Sequence, residues 1–251
     1  MIDYLRILVA GEDIKAGQLV LEEKALLKYP QWKTLPTCLG CYKLLYKDKC
    51  QPCKLCQWPM CSKECSASPD HKLECKIFAK YGVKLNIKDL KFDQPEPMYD
   101  LITPIRMLAL KLNDQSGWKA LTNLSSHNEI WNEQPAWKKQ HQKVIDYILK
   151  TMKLNDVTEN LILDLYGIAY INDFSALYGD LRLRLVFPRA AMFSHDCTPN
   201  IVRHIEGLKD GHTIRCYAAR DIRKGEKLNT TYVDLFLPGL IRRAMLKEVR
   251  V

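Results

Sequence analysis

Apolar residues recur along this chain with two different periods. Residues 5–10 (LRILVA) and 18–22 (QLVLE) are short runs rich in Leu, Val and Ile around the turn-like GEDIKAG, which predicts a strand, a turn and a second strand. The device returns near the other end. AARDIRKGEKL at 218–228 echoes AGEDIKAGQLV at 10–20, with Asp13-Ile14 matching Asp221-Ile222 and Gly17 matching Gly225. Glycine at the same place in both copies predicts a backbone position with positive φ.

Between these ends, residues 76–165 show helical spacing. Thr103 reads as an N-cap and Pro104 as a first helical position, with Ile105, Leu108 and Leu112 on one face. Trp137, His141, Val144, Ile148, Leu149 and Met152 form a second stripe, and Asp156 with Glu159 reads as a capping box ahead of LILDLYGIAY. These stripes read as core, and His141 as a structural or surface residue rather than a catalyst. From 181 the period falls to two: LRLRLVF alternates Leu181, Leu183 and Leu185 with Arg182 and Arg184, and strands are expected at 200–206 and 212–219. The simplest fold is α+β, one β-structure split by two insertions.

Length and charge narrow this picture little. A chain of 251 residues holds one large domain or two modest ones. The formal charge of +9 favours acidic partners, yet Lys and Arg are spread along the chain and no nucleic-acid reading motif is present, so direct nucleic-acid binding is disfavoured. No apolar run reaches the length of a membrane span. The first residues, MIDYLRIL, lack the pattern of a secretory signal, so a soluble protein in a reducing compartment is expected.

The cysteines change the picture most. Eight of the ten fall between Cys38 and Cys75. The pairs Cys38/Cys41 and Cys53/Cys56, followed by Cys61, Cys65, His71 and Cys75, make eight ligands, the number required by two closed tetrahedral zinc sites. Cys50 is left over as a spare thiol. So short a stretch has too little apolar material for a core, so metal is expected to supply its folding free energy. A disulfide framework is the competing reading of the same cysteines. Spacing alone allows the ligand pairs to be sequential or crossed.

The pattern C-x2-C, C-x2-C-x4-C-x3-C, H-x3-C resembles the MYND zinc finger, a module that mainly binds short peptides of partner proteins. Further on, SHDCTPN at 194–200 is similar to N-H-S-C-x-P-N, GEKLNTTY at 225–232 to G-E-E-L-x-x-x-Y, and INDF at 171–174 to T-N-x-F. In this order the segments resemble the SET and MYND domain (SMYD-type) protein-lysine methyltransferase family across nearly the entire chain. The resemblance implies a SET-type β-fold split by a MYND double-zinc finger and a helical insertion. Its parts would be 1–37 and 166–236 for the SET core, 38–75 for the finger, 76–165 for the insertion and 237–251 for a helical tail in place of a post-SET segment.

It also implies crossed metal ligation, Cys38, Cys41, Cys61 and Cys65 around one zinc and Cys53, Cys56, His71 and Cys75 around the other. S-adenosylmethionine would be held by Ser194, His195 and Asn200, with Tyr232 as the catalytic residue. The 194–200 segment would run beside the strand leading to Tyr232. The substrate would be a histone or another protein, proline-containing peptides would dock on the finger, and the protein would be nuclear and cytoplasmic.

Several residues depart from the family pattern. Leu5, Arg6 and Ile7 stand where relatives carry a G-x-G turn, and Ser194 replaces an asparagine. The chain reaches Val251 without the cysteine-rich post-SET segment whose zinc Cys197 would share, and Cys197 reads as a buried half-site or a core thiol. Two functions therefore stand side by side: a protein-lysine methyltransferase, and a non-enzymatic adaptor displaying a MYND finger to transcriptional partners.

Overall fold

The computed structural model describes residues 7–131, 134–178, 181–207 and 212–249. Its strands are β1 (Leu19–Lys24), β2 (Leu27–Pro30), β3 (Gln51–Pro52), β4 (Pro59–Met60), β5 (Asp173–Tyr178), β6 (Leu181–Val186), β7 (Ser194–His195), β8 (Ile201–Glu206), β9 (Thr213–Ala218) and β10 (Asn229–Thr230). Its helices are α1 (Lys63–Ser66), α2 (Pro69–Tyr81), α3 (Ile102–Asn113), α4 (Gln115–Thr122), α5 (Asn128–Trp131), α6 (Pro135–Asp146), α7 (Glu159–Asn172) and α8 (Gly239–Val249). The fold is the expected α+β mixture. None of the described helices is long and apolar enough to cross a membrane. The chain forms two compact units, one from residues 1–26 with 187–251 and one from 27–186.

In the first unit β1, β9 and β8 form an antiparallel sheet with β9 at its centre. Ile214, Cys216 and Ala218 alternate inward along β9, as the period of two requires. The early strand expected at 5–10 is reduced to one bridge, Val9 to Lys227; Leu5 and Arg6 lie outside the described residues.

The two echoing segments pair with each other. Ile14 and Ile222 exchange both backbone hydrogen bonds at 2.8 Å. Gly17 N–H donates to the Ala218 carbonyl, and its counterpart Gly225 N–H to the Ala10 carbonyl, each at 2.8 Å. Asp221 accepts the N–H of Ala16 at 2.9 Å while Asp13 accepts that of Lys224 at 2.8 Å. Each of these backbone contacts in one copy thus has its mate in the other, a local two-fold written into the repeated sequence. Gly17 and Gly225 have φ of +78° and +82°, the left-handed region open to glycine.

In the second unit β6 lies between β2 and β5, and Leu183 and Leu185 are fully buried beneath it. α3 crosses this region and packs on α2, α7 and β2. Its start differs from the expected Thr103 cap. A 3-10 turn at Pro97–Leu101, opened by Pro97 and capped by Glu96, runs directly into the helix. Pro104 is tolerated because an amide this close to the helix start has no helical partner to lose.

Leu112 is 69% exposed rather than core. α7 is capped by Thr158, which accepts the N–H of Leu161 at 3.2 Å. Asp156 has a left-handed backbone (φ 57°) and cannot serve as the cap, which needs extended geometry. The stripe from Trp137 to Met152 is buried as expected except for half-buried Leu149, and its last turn, Tyr147–Met152, widens into a π-helix.

A Cβ placed on Gly17 or Gly225 would meet nothing within 4 Å, so its cost is purely conformational. Gly17→Ala and Gly225→Ala are each expected to destabilise by about 1 kcal/mol in denaturant unfolding. Clearly unequal losses would contradict the equivalence of the two turns.

Candidate metal centres and candidate active site

The finger is built from two copies of one turn. Tyr42 follows Cys41 and Gln57 follows Cys56, and both have left-handed backbones, with φ of 58° and 64°. Each donates its N–H to the carbonyl of the first cysteine of its pair, Cys38 at 2.7 Å and Cys53 at 2.9 Å. The remaining ligands come from helix starts. Ser62 caps α1 by accepting the Cys65 N–H, and Ser68 caps α2 by accepting the His71 N–H, both at 3.2 Å. His71 and Cys75 then fall one turn apart on the same helical face.

Two clusters result: Cys38, Cys41, Cys61 and Cys65, and Cys53, Cys56, His71 and Cys75. Within each, the ligand atoms lie within 4.8 Å of one another. The pairing is crossed. Cys50 belongs to neither and faces the Lys47 carbonyl at 3.7 Å.

The donor sets fit zinc. Four thiols in one cluster, and three thiols with an imidazole in the other, are the ligand types of structural tetrahedral zinc. The neighbouring Cys41 thiol lowers the Cys38 pKa, against the effect of burial. Packing around the first cluster depends on Gly40, where a Cβ would lie 2.4 Å from the Cys65 carbonyl oxygen. Both clusters can hold zinc, which would fix the loops that carry the ligands.

Behind the second cluster stands a buried charge chain. His71 Nδ1 is 2.9 Å from Glu74 Oε1, leaving Nε2 turned toward the cluster, 3.5 Å from Cys56 Sγ. Glu74 Oε2 accepts from Arg106 Nε at 2.7 Å. Arg106, fully buried on α3, also donates to the Leu39 carbonyl at 3.1 Å, to the Tyr42 hydroxyl at 2.6 Å and to the Lys28 carbonyl. Carboxylates behind a ligating histidine fix its tautomer and orientation. The sequence reading missed both charges. The available signal was position: Arg106 lies on the helical face of Ile102, Ala109 and Leu110, where a cation is out of place unless paired.

The other candidate residues lie in the first unit. β7 pairs in parallel with β10, Ser194 opposite Asn229 and His195 opposite Thr230, so the 194–200 segment does run beside the strand that leads to Tyr232. His195 Nδ1 accepts the Tyr232 N–H at 3.0 Å, and the two rings lie 5.4 Å apart. Burial lowers the His195 pKa, so its ring is neutral and free to accept. Tyr232 donates its hydroxyl proton to the Phe193 carbonyl. Its own pKa is raised by burial, against the pull of Arg203.

Ser194 Oγ is buried with no hydrogen-bond partner among the described residues. The Asn200 amide bonds the Lys227 carbonyl at 2.8 Å and the Asn229 N–H at 2.9 Å, tying the loop to the strand before Tyr232. Cys197 is exposed, its Sγ 3.4 Å from His195 Nε2, so it is not the buried thiol expected from sequence. Ile7, at the position of the G-x-G turn, is also exposed.

Comparison with known proteins places these features in a family. The SET domain family model matches residues 6–233, and the chain belongs to the SET domain family. Among curated relatives, the SET domain-containing protein SmydA-8, isoform A, of Drosophila melanogaster is 27% identical over 96% of this chain and 51% of its own length. N-lysine methyltransferase SMYD2-B of Danio rerio is 26% identical over 86% and 46% respectively. SET domain and MYND-type zinc finger protein 6 of Schizosaccharomyces pombe is 24% identical over 95% and 46%. The chain spans about half the length of these relatives. The double-cluster finger agrees with membership of the SET and MYND type.

Replacing Glu74 by Gln is expected to weaken zinc at the second cluster by about 10- to 100-fold in competition with a chromophoric chelator. Gly40→Ala should lower affinity at the first cluster and leave the second intact. Arg106→Leu, which leaves Glu74 a buried unpaired charge, should cost about 3–5 kcal/mol in unfolding experiments.

Proposed function

We propose that this chain carries the catalytic core of an S-adenosylmethionine-dependent protein-lysine methyltransferase. The single observation behind this reading is the Tyr232 arrangement, supported by family membership. The phenol gives its proton to the Phe193 carbonyl, so its oxygen lone pairs turn to the other side. Such an oxygen, held in place before reaction, stabilises positive charge developing at a nearby carbon or nitrogen. Because burial raises the Tyr232 pKa, the phenol stays neutral at physiological pH and keeps that geometry.

When bound, S-adenosylmethionine supplies an electrophilic methyl group. Ser194 Oγ, a buried hydroxyl lacking a partner, and the neutral His195 ring are the side chains assigned to hold it. Asn200 acts at one remove, by fixing the loop that carries them to residues 227–229. The accepting lysine must arrive as a neutral amine, since an ammonium (pKa about 10.4 in water) has no lone pair, and a dry surround lowers that value. Tyr232, with its hydroxyl proton committed to the Phe193 carbonyl, would turn its oxygen lone pairs toward the positive charge that the cofactor would bring to that amine.

The substrate in this reading is a histone or another protein, and the finger recruits proline-containing peptides, with the protein nuclear and cytoplasmic. Calorimetric titration with S-adenosylmethionine, followed by assay of methyl transfer to histones, tests it. Tyr232→Phe should keep cofactor affinity within about twofold and lower transfer by about 100-fold or more. Absence of binding at millimolar cofactor would refute the enzyme reading, and zinc-dependent capture of proline-rich peptides by the same sample would then assign the adaptor role.

A further inference from the structure

Within residues 27–186, a cavity of about 220 Å³ opens between α6, α7, the start of α3 and the segment after β2. Its walls are aromatic. His141 stacks on Tyr166 at 3.9 Å between ring centroids, leans on Trp32 at 4.4 Å and meets the edge of Trp137 at 4.5 Å. Tyr170, at the rim, stands edge-on to Trp137 at 5.4 Å.

Two observations set this cavity apart from ordinary core. First, His141 is 1% exposed and neither ring nitrogen has a hydrogen-bond partner among the described residues. Burial pushes its pKa down to about 3, so the imidazole is neutral and presents one donor and one acceptor. Leaving such groups unmet is unfavourable, so the ring is poised to meet something the cavity admits.

Second, the cavity holds two carboxylates of different status. Asp173 is matched by Arg184 at 3.0 Å and by the Tyr29 hydroxyl at 3.3 Å. Asp100 takes the Lys33 N–H at 3.1 Å, yet it forms no ion pair among the described residues. Burial raises its pKa to about 6, which leaves it mostly ionised at neutral pH.

Aromatic faces around a partly desolvated anion attract an organic cation, because the ring quadrupole and the carboxylate act with the same sign. A hydrophobic molecule without charge would leave Asp100 unmatched. A compact inorganic ion would leave the rings without a partner. The acceptors on Asp100 and His141 further favour a cation that keeps an N–H. We propose that this cavity is a binding site for methylated ammonium groups, with Asp100 as counter-charge and a preference for mono- and dimethylammonium over trimethylammonium. The site uses none of the residues assigned to methyl transfer, so it stands whether or not that assignment holds.

The test is quenching of tryptophan fluorescence in the full, zinc-loaded chain, titrated with Nα-acetyl-lysine amide bearing zero to three Nε-methyl groups. Saturable quenching by the mono- and dimethyl forms, at least fivefold tighter than by the unmethylated or trimethyl form, is expected. Asp100→Asn should weaken the dimethyl form at least fivefold, and Trp32→Phe should reduce the quench amplitude. A peptide carrying dimethyl-lysine that binds tenfold tighter than the free head group would assign the source to protein. Affinity equal to that of dimethylammonium ion would assign it to a free small cation, and either result supports the site.

No saturation by any methylated form up to about 10 mM would overturn the proposal. So would equal binding of unmethylated lysine, or an Asp100→Asn variant of normal circular dichroism that binds unchanged. Because S-adenosylmethionine is left out, failure here is read separately from failure of the enzyme assignment.

Discussion

The buried chain from His71 through Glu74 to Arg106 is the interaction on which the second unit depends. Two opposite charges with no solvent exposure repay their desolvation only when every polar atom is matched, and here each is. Arg106 reaches the turn of the first metal cluster through Tyr42 and Leu39, the second cluster through Glu74, and β2 through the Lys28 carbonyl. One guanidinium therefore holds together the finger, a helix and a sheet edge. Alignment of the ligating imidazole is thus coupled to the packing of α3, and the finger is continuous with the helices around it.

The same economy of means is seen in the turns. Both C-x2-C pairs use a left-handed residue after the second cysteine, although Tyr42 and Gln57 have nothing else in common. The geometry comes from the ligand spacing rather than from glycine. At Gly17 and Gly225, by contrast, glycine takes the left-handed position.

Much of this was legible in the residues. Alternation placed β6, β8 and β9 closely, because half-buried strands impose a period that few other structures share. Ligand spacing named all eight metal-cluster residues, but their crossed assignment came from family resemblance, since spacing carries no information on which pairs meet. Helix starts were less legible. Thr103-Pro104 and Asp156–Glu159 fit capping rules locally, yet the preceding 3-10 turn and the left-handed Asp156 moved the real caps to Glu96 and Thr158. Least legible were Arg106, Glu74 and the cavity around His141, whose partners come from segments far apart in the chain. Near Tyr232, the motif could not tell that Asn200 would bond the Lys227 carbonyl while Ser194 Oγ is left without a hydrogen bond among the described residues.

The local two-fold has a consequence for how this protein is made. Residues 10–22 pair with residues that emerge from the ribosome about 200 positions later, while 27–186 contains all of its own sheet partners. At 5–20 residues per second, translation leaves β1 waiting for roughly ten to forty seconds, its edge unpaired and Leu21 bare. The intervening unit has time to acquire metal and close first. Zinc supply during synthesis would then set how often the two ends find each other before an exposed strand finds another nascent chain.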